Sequence, residues 1–231
     1  MTNTICISLG GSSILGKRGI IPDNLEHFAS ALSRSEKSDK FVVVVGGGAA
    51  SRQYISSSTK LLGNDRDLDE VGIAVTRVNA LIVMKYLSKK ISTFPKVLQT
   101  LEELPGALRG HRVAVMGGLR PGISTDAVAA LACKKLRSKL LVNVSAVMYV
   151  YNKKPTAKGA RAIHSLDHQT MLRIARRFDN RKPGTHFIFD LEASKIAKRE
   201  NIEVRFSNLD EKNLILTIKG SNFRGSVVRS R

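Results

Sequence analysis

The chain has no tryptophan, four tyrosines and two cysteines in 231 residues, and each scarcity removes a class of function. So few aromatics leave little to stack on bases, and no recognised nucleic-acid-binding module appears. No apolar run approaches the roughly 18–20 residues of a membrane helix, so no association with a membrane is expected. The opening MTNTICISLGG has neither a basic leader nor a small-residue cleavage site, so no secretory signal is expected. Cys6 falls in a predicted strand and Cys133 in a predicted helix. They read as buried small hydrophobes rather than a disulfide or metal pair, which fits a reducing cytoplasm. Two nucleotide fingerprints are also missing: the Walker loop with its Gly-Lys-Ser/Thr end, and a GxGxxG that opens a helix. With no internal repeat, low-complexity linker or composition break, one domain over residues 1–231 is expected.

Acidic residues are scarce too: 19 against 38 Lys and Arg, a net charge of +19. Residues 1–131 carry 16 basic against 11 acidic residues, whereas residues 132–231 carry 22 against 8. Nucleic acid is one partner such an excess fits, because each neutralised phosphate releases counterions. Phosphorylated small molecules are another. Solvated helix faces explain the charge more economically, so nucleic acid is not favoured.

What is present is an alternation of strands and helices. Ile5–Leu9 reads as a first strand, and FVVVV over 41–45 as the doubly buried centre of a parallel sheet. Arg112–Met116 and Ile202–Phe206 read as strands, GSVVR near the end as a last one. Lys139–Tyr151 reads as one or two strands with a break near Ser145. Helical spacing covers Asp23–Arg34, residues 49–62, Asp69–Lys89, Asp167–Arg177 and Asp190–Glu200. A further Ala-rich helix starts at 124–126, with Ser124 or Thr125 as its N-cap. The pattern predicts an α/β sandwich with a largely parallel sheet, whose ligands bind at the carboxyl ends of the strands.

Three glycine turns fall at those ends: Gly10-Gly11, Gly46–Gly48 and Gly117-Gly118. Each lets backbone N–H groups approach a phosphate without a Cβ in the way. Three such turns predict a phosphate site, although not the usual P-loop or dinucleotide arrangement.

Together, GGS near the N-terminus, VVGGGAASRQYI, DEVGIAVTRVNA, GGLRPGISTDAVAAL and FDLEASKIAKR resemble the archaeal type of UMP kinase in the amino acid kinase superfamily. The resemblance runs from about Ile5 to the C-terminus. It implies a three-layer αβα sandwich around a mostly parallel eight-stranded sheet. It also implies transfer of the ATP γ-phosphoryl to UMP with Mg²⁺, in homohexamers that are trimers of dimers. No side chain is assigned as a metal ligand.

By that resemblance Gly47, Gly48, Asp69 and the run Leu119, Arg120, Pro121, Gly122, Ile123, Ser124 and Thr125 hold UMP, within an acceptor half of about residues 1–135. Gly10, Gly11, Ser12, Arg52, Ser145, Ala146, Tyr151 and Lys154 face the donor ATP, most of it held by a donor half of about 136–231. Asp126 and Lys195 are the catalytic candidates, Asp126 as the acid that holds lysines in place. Asp69 also reads as the N-terminal charge of its helix, and Arg52 as a solvated helix residue.

Two departures stand out. Ser8 occupies a position where many members carry lysine, and Lys17 or Arg18 is a candidate to supply that charge. The donor motif, close to Thr-Asn-Val-Asp-Gly-Val-Tyr in the family, here reads Ser145-Ala146-Val147-Met148-Tyr149-Val150-Tyr151, with Lys154 where an Asp is expected. A non-catalytic UMP- or UTP-binding relative therefore stays open, as does a kinase for another phosphorylated acceptor such as isopentenyl phosphate.

Overall fold

The strand Lys40–Val45 is buried from Phe41 onward, as its uniform valine content requires, and the sheet is built outward around it. The computed structural model describes residues 3–16, 19–153, 155–178 and 189–230. Lys17, Arg18 and Lys154, all named above, lie outside the described residues.

In chain order, β1 (Thr4–Leu9) leads to the short α1 (Gly11–Ile14) and the hairpin of β2 (Leu15–Gly16) and β3 (Gly19–Ile20). Then come α2 (Pro22–Ser33), β4 (Lys40–Val45), α3 (Gly48–Leu62) and α4 (Asp65–Leu87). The middle holds β5 (Thr93–Leu98), α5 (Leu104–Gly110), β6 (Val113–Met116), α6 (Thr125–Leu136) and β7 (Leu140–Val144). A ribbon of β8 (Val150–Tyr151) and β9 (Ala162–Ile163) precedes β10 (Ser165–Leu166), α7 (His168–Phe178) and α8 (Leu191–Arg199). The chain closes with β11 (Glu203–Ser207), α9 (Glu211–Lys219) and β12 (Val227–Val228).

The described strands form an eight-stranded sheet in the order β10-β12-β11-β7-β1-β4-β6-β5. The six from β11 to β5 run parallel to one another, and β12 is antiparallel to β11. Side chains alternate across the sheet, and each face has its own core. Cys6, Val42, Val44, Met116 and Leu141 face α5, α6, α7 and α8. Ile5, Ile7, Val43, Val115 and Val142 face α2, α4 and α9. The result is the expected three-layer αβα sandwich. Both cysteines are buried side by side within the first core, as their types suggested of small hydrophobes.

Three differences from the sequence reading have local causes. The long helix begins at Asp65, not Asp69, because Asn64 caps it by accepting the Asp67 N–H at 2.9 Å. Asp69 therefore sits in the second turn and is not a terminal charge. The segment Thr93–Leu98 contains Pro95, which hides a strand in the pattern; as the edge strand β5 it can carry a proline. The helix α9, EKNLILTIK, is absent from the sequence reading, although Asp210 caps it through the Asn213 N–H at 2.8 Å. The break near Ser145 is where β7 ends, and Ser124 is the N-cap of α6, accepting the Ala127 N–H at 3.0 Å.

Candidate active site

The parallel strands β1, β4, β6 and β7 all deliver their carboxyl ends to one edge of the sheet. A cleft of about 240 Å³ opens there, lined in part by Gly47, Ser51, Asp69, Arg120, Ser124, Thr125, Asp126 and Asp190. Of the residues expected to hold the acceptor, Gly47, Asp69, Arg120, Ile123, Ser124 and Thr125 line it. Leu119 instead leans on the core. Arg52 is half-buried on α3, next to the lining residue Ser51.

The loop over the cleft is held by one face of α4. Asp69 Oδ2 accepts the Gly122 N–H at 2.8 Å, and Thr76 Oγ1 accepts the Gly118 N–H at 2.7 Å. Arg77 donates from Nε to the Gly118 carbonyl and from Nη2 to the Leu119 carbonyl, each at 3.3 Å. Residues 69, 73, 76 and 77 share a helix face by their spacing, so a single rigid element sets the loop. The sequence reading singles out Asp69 alone; Thr76 and Arg77 look like ordinary helix residues.

The glycine turns do something other than leave room for a ligand. A Cβ on Gly11 would lie 2.3 Å from the Gly48 nitrogen and 2.5 Å from the Gly46 carbonyl oxygen. Gly48 has φ +64° and meets the Gly11 carbonyl carbon in return. The first two turns thus lie backbone against backbone, and Gly117 is pressed on the Thr76 hydroxyl and on the backbone and side chain of Arg77. The N-terminus of α3 emerges from this contact without a side-chain cap, whereas Ser124 caps α6 and Asp190 caps α8. N–H groups that no side chain caps, together with the positive end of the helix dipole, suit a phosphate.

Asp126 stands at the first turn of α6. Its Oδ1 accepts both the Ser8 hydroxyl at 2.5 Å and the Asn143 amide at 2.9 Å. The residue keeps a strip of surface in the cleft, but its carboxylate is enclosed. Burial, seconded by the negative charge of Asp190, pushes its pKa up to about 7 against the opposing pull of those two hydrogen bonds.

Asp190 is the residue that sequence reasoning missed. Its Oδ1 accepts the Ala193 N–H at 2.8 Å as the cap of α8, and its Oδ2 accepts the Ser124 hydroxyl. α6 packs against α8, which brings two carboxylates distant in sequence to one cleft. Lys195 lies on α8 with its ammonium 3.3 Å from Glu192 and its side chain 45% exposed. The resemblance would have Asp126 hold lysines; in this chain Ser8 and Asn143 hold it. Gly10 lies beside the end of β7, its N–H donating to the Val144 carbonyl at 2.8 Å, with Ser145 alongside. That contact sets Gly10 and Ser145 against each other, two of the residues expected on the donor side. Among the described residues, no three His, Cys, Asp or Glu side chains cluster as a metal site.

Comparison with known proteins follows the same lines. The model of the amino acid kinase family matches residues 3–208. The chain is 36% identical to the uridylate kinase of Thermoplasma volcanium over 221 residues, covering 95% of each chain. It is 35% identical to that of Thermoplasma acidophilum, covering 95% of this chain and 94% of the relative. The crystal structure of uridylate kinase from Archaeoglobus fulgidus superposes with a TM-score of 0.81 at 29% identity, over 97% of this chain and 99% of the other.

Proposed function

The chain belongs to the amino acid kinase family, and we propose that its cleft binds UMP and passes it the γ-phosphoryl group of ATP, giving UDP and ADP. It is a phosphotransferase of pyrimidine nucleotide synthesis. The observation that carries this reading is the loop Gly118–Thr125, tied to α4 through Asp69, Thr76 and Arg77 and lining one cleft with the two carboxylates.

Phosphoryl transfer asks mainly for position and charge compensation, since little covalent work falls to the protein. Asp69 and Thr76 fix the loop that encloses the acceptor. The uncapped α3 N-terminus presents N–H groups to phosphate oxygens, and Arg120 at the cleft adds positive charge. Asp126 and Asp190 are the oxygen donors a hard divalent cation takes, and their mutual repulsion is what such a cation relieves. They would hold Mg²⁺, which supplies neutralisation of the charge on the transferred group. Ser8 and Asn143 keep Asp126 oriented; neither hydrogen bond uses Oδ2.

The donor is assigned mainly to residues 136–231, the acceptor mainly to 1–135, within one domain. A cytoplasmic location accords with the two buried free thiols. A homohexamer built from dimers is the assembly that the resemblance to archaeal UMP kinases implies for this chain.

The acceptor is tested by offering UMP, CMP, AMP and isopentenyl phosphate with ATP and following ADP release. UMP is expected to win by about 100-fold or more, the discrimination a hydrogen-bonding site can reach. An equal or better rate with any of the others reassigns the acceptor.

A further inference from the structure

The ribbon β8–β9 pairs Val150 with Ile163 and Tyr151 with Ala162 in antiparallel register. One step back along that register, the rings of Tyr149 and His164 meet edge to face, with centroids 5.0 Å apart and planes at 74°. Val150 is fully buried and Ile163 leans on the same core, so alternation turns Tyr149, Tyr151 and His164 to the outer face. Two of the chain's four tyrosines are spent within three residues, in a protein otherwise poor in aromatics. Both are half-buried and His164 is exposed.

The ribbon is pinned in place. The Val150 N–H donates to Ser226 Oγ at 2.8 Å, and that hydroxyl donates to the Ile163 carbonyl at 2.5 Å. It grows from the end of β7 through Ser145, whose Cβ is 3.6 Å from where a Gly10 Cβ would stand. The aromatic face therefore rises from the strand end that adjoins the glycine turns. Polar side-chain atoms are few along this segment. Ser145 Oγ is engaged by the Val147 carbonyl at 2.7 Å, and residues 146–148 and 150 are apolar.

We propose that Tyr149, braced by His164, is the surface on which the base of the donor nucleotide stacks. Every base has a π face, and the segment offers few hydrogen bonds to tell one from another, so purine and pyrimidine triphosphates are accepted with little discrimination. The inference deepens the phosphoryl-transfer reading and rests on it for the identity of the ligand as a nucleoside triphosphate.

The test is calorimetric titration of non-hydrolysable ATP, GTP and CTP analogues into the full chain and into Tyr149→Ala, Tyr149→Phe and His164→Ala, with UMP titrated in parallel. The three analogues are expected to bind the unaltered chain within about 10-fold of one another, as stacking without base-edge readout allows. Tyr149→Ala is expected to weaken each by about 10-fold or more, the usual cost of removing one base–aromatic stack. His164→Ala weakens them by less, and Tyr149→Phe, which keeps the ring, restores binding. UMP affinity stays constant across the series and reports that the variants are folded. Unchanged analogue binding in Tyr149→Ala, or no analogue binding by the unaltered chain, overturns the inference. So does a preference for one base of about 1,000-fold or more, beyond the roughly 200-fold that apolar fit alone supplies. Tyr149-dependent analogue binding without any UMP binding would support the stacking surface while sinking the acceptor reading.

Discussion

Replacing Asp126 with Asn is expected to cut UMP-dependent ADP release by about 10²–10³-fold, the cost of one preorganised electrostatic group. The same change is expected to make the ligand-free protein more stable above neutral pH. The carboxamide can still accept the Ser8 and Asn143 hydrogen bonds through Oδ1, so the local geometry survives. It cannot ionise, and ionisation is what burial opposes at this position. The native carboxyl titrates at about 7 whereas its ordinary value is 3.8. Between those two pH values the native state keeps a proton that the unfolded chain has released. Stability is therefore lost as pH rises through that window and levels off above about 7. The shift of about three units converts to a ceiling of roughly 4 kcal/mol, and the strip of exposed surface brings the expected gain at pH 8 down to about 1–2 kcal/mol. Thermal melts in chelator from pH 5 to 8 would read this directly. The two proteins should diverge as pH climbs, with the Asp126→Asn variant falling more slowly; parallel curves would mean that Asp126 titrates normally.

The second large effect is expected from Gly11→Ala. The added methyl carbon would sit 2.3 Å, 2.5 Å and 2.7 Å from atoms of the Gly46–Gly48 backbone, none of which can rotate away. Accommodation requires the first and second glycine turns to part, and with them the ends of β1 and β4. A loss of about 3 kcal/mol or more is expected, the upper range for overpacking. Gly106→Ala is the natural control, because Gly106 lies in α5 with no positive φ and a Cβ added there would meet no atom within 4 Å. That substitution should stabilise by about 0.5–1 kcal/mol through helix propensity alone. Urea midpoints of the two variants should move in opposite directions. If Gly11→Ala unfolds at the same urea concentration as the unaltered chain, the turns are not in contact.

These two predictions mark where the sequence was informative and where it was not. The glycine runs were readable as turns at strand ends, and their place at the cleft edge followed from the parallel-sheet rule. Their physical duty was not readable, since a Cβ-free approach looks the same whether the neighbour is a phosphate or another stretch of backbone. Ser124 was readable as a cap because capping is local. Asp190 was equally visible as the cap of α8, yet its approach to Ser124 and Asp126 depends on α6 lying against α8, which no local pattern encodes. Asp69 stands out in the sequence as a helix acid, but its bond to Gly122 joins positions 53 apart that no local pattern relates. The Tyr149–His164 contact was out of reach for the same reason: the register of a ribbon closed by a polar loop decides it.

The central claim is that the two carboxylates of the cleft and the loop that lines it with them move a phosphoryl group onto UMP. Phosphorus NMR of the protein with ATP, UMP and Mg²⁺ tests it most directly. The signals of UDP and ADP should grow together at equal rates, and should be absent when UMP is withheld. UMP bound by the protein with no UDP formed from ATP, GTP or CTP would contradict the account.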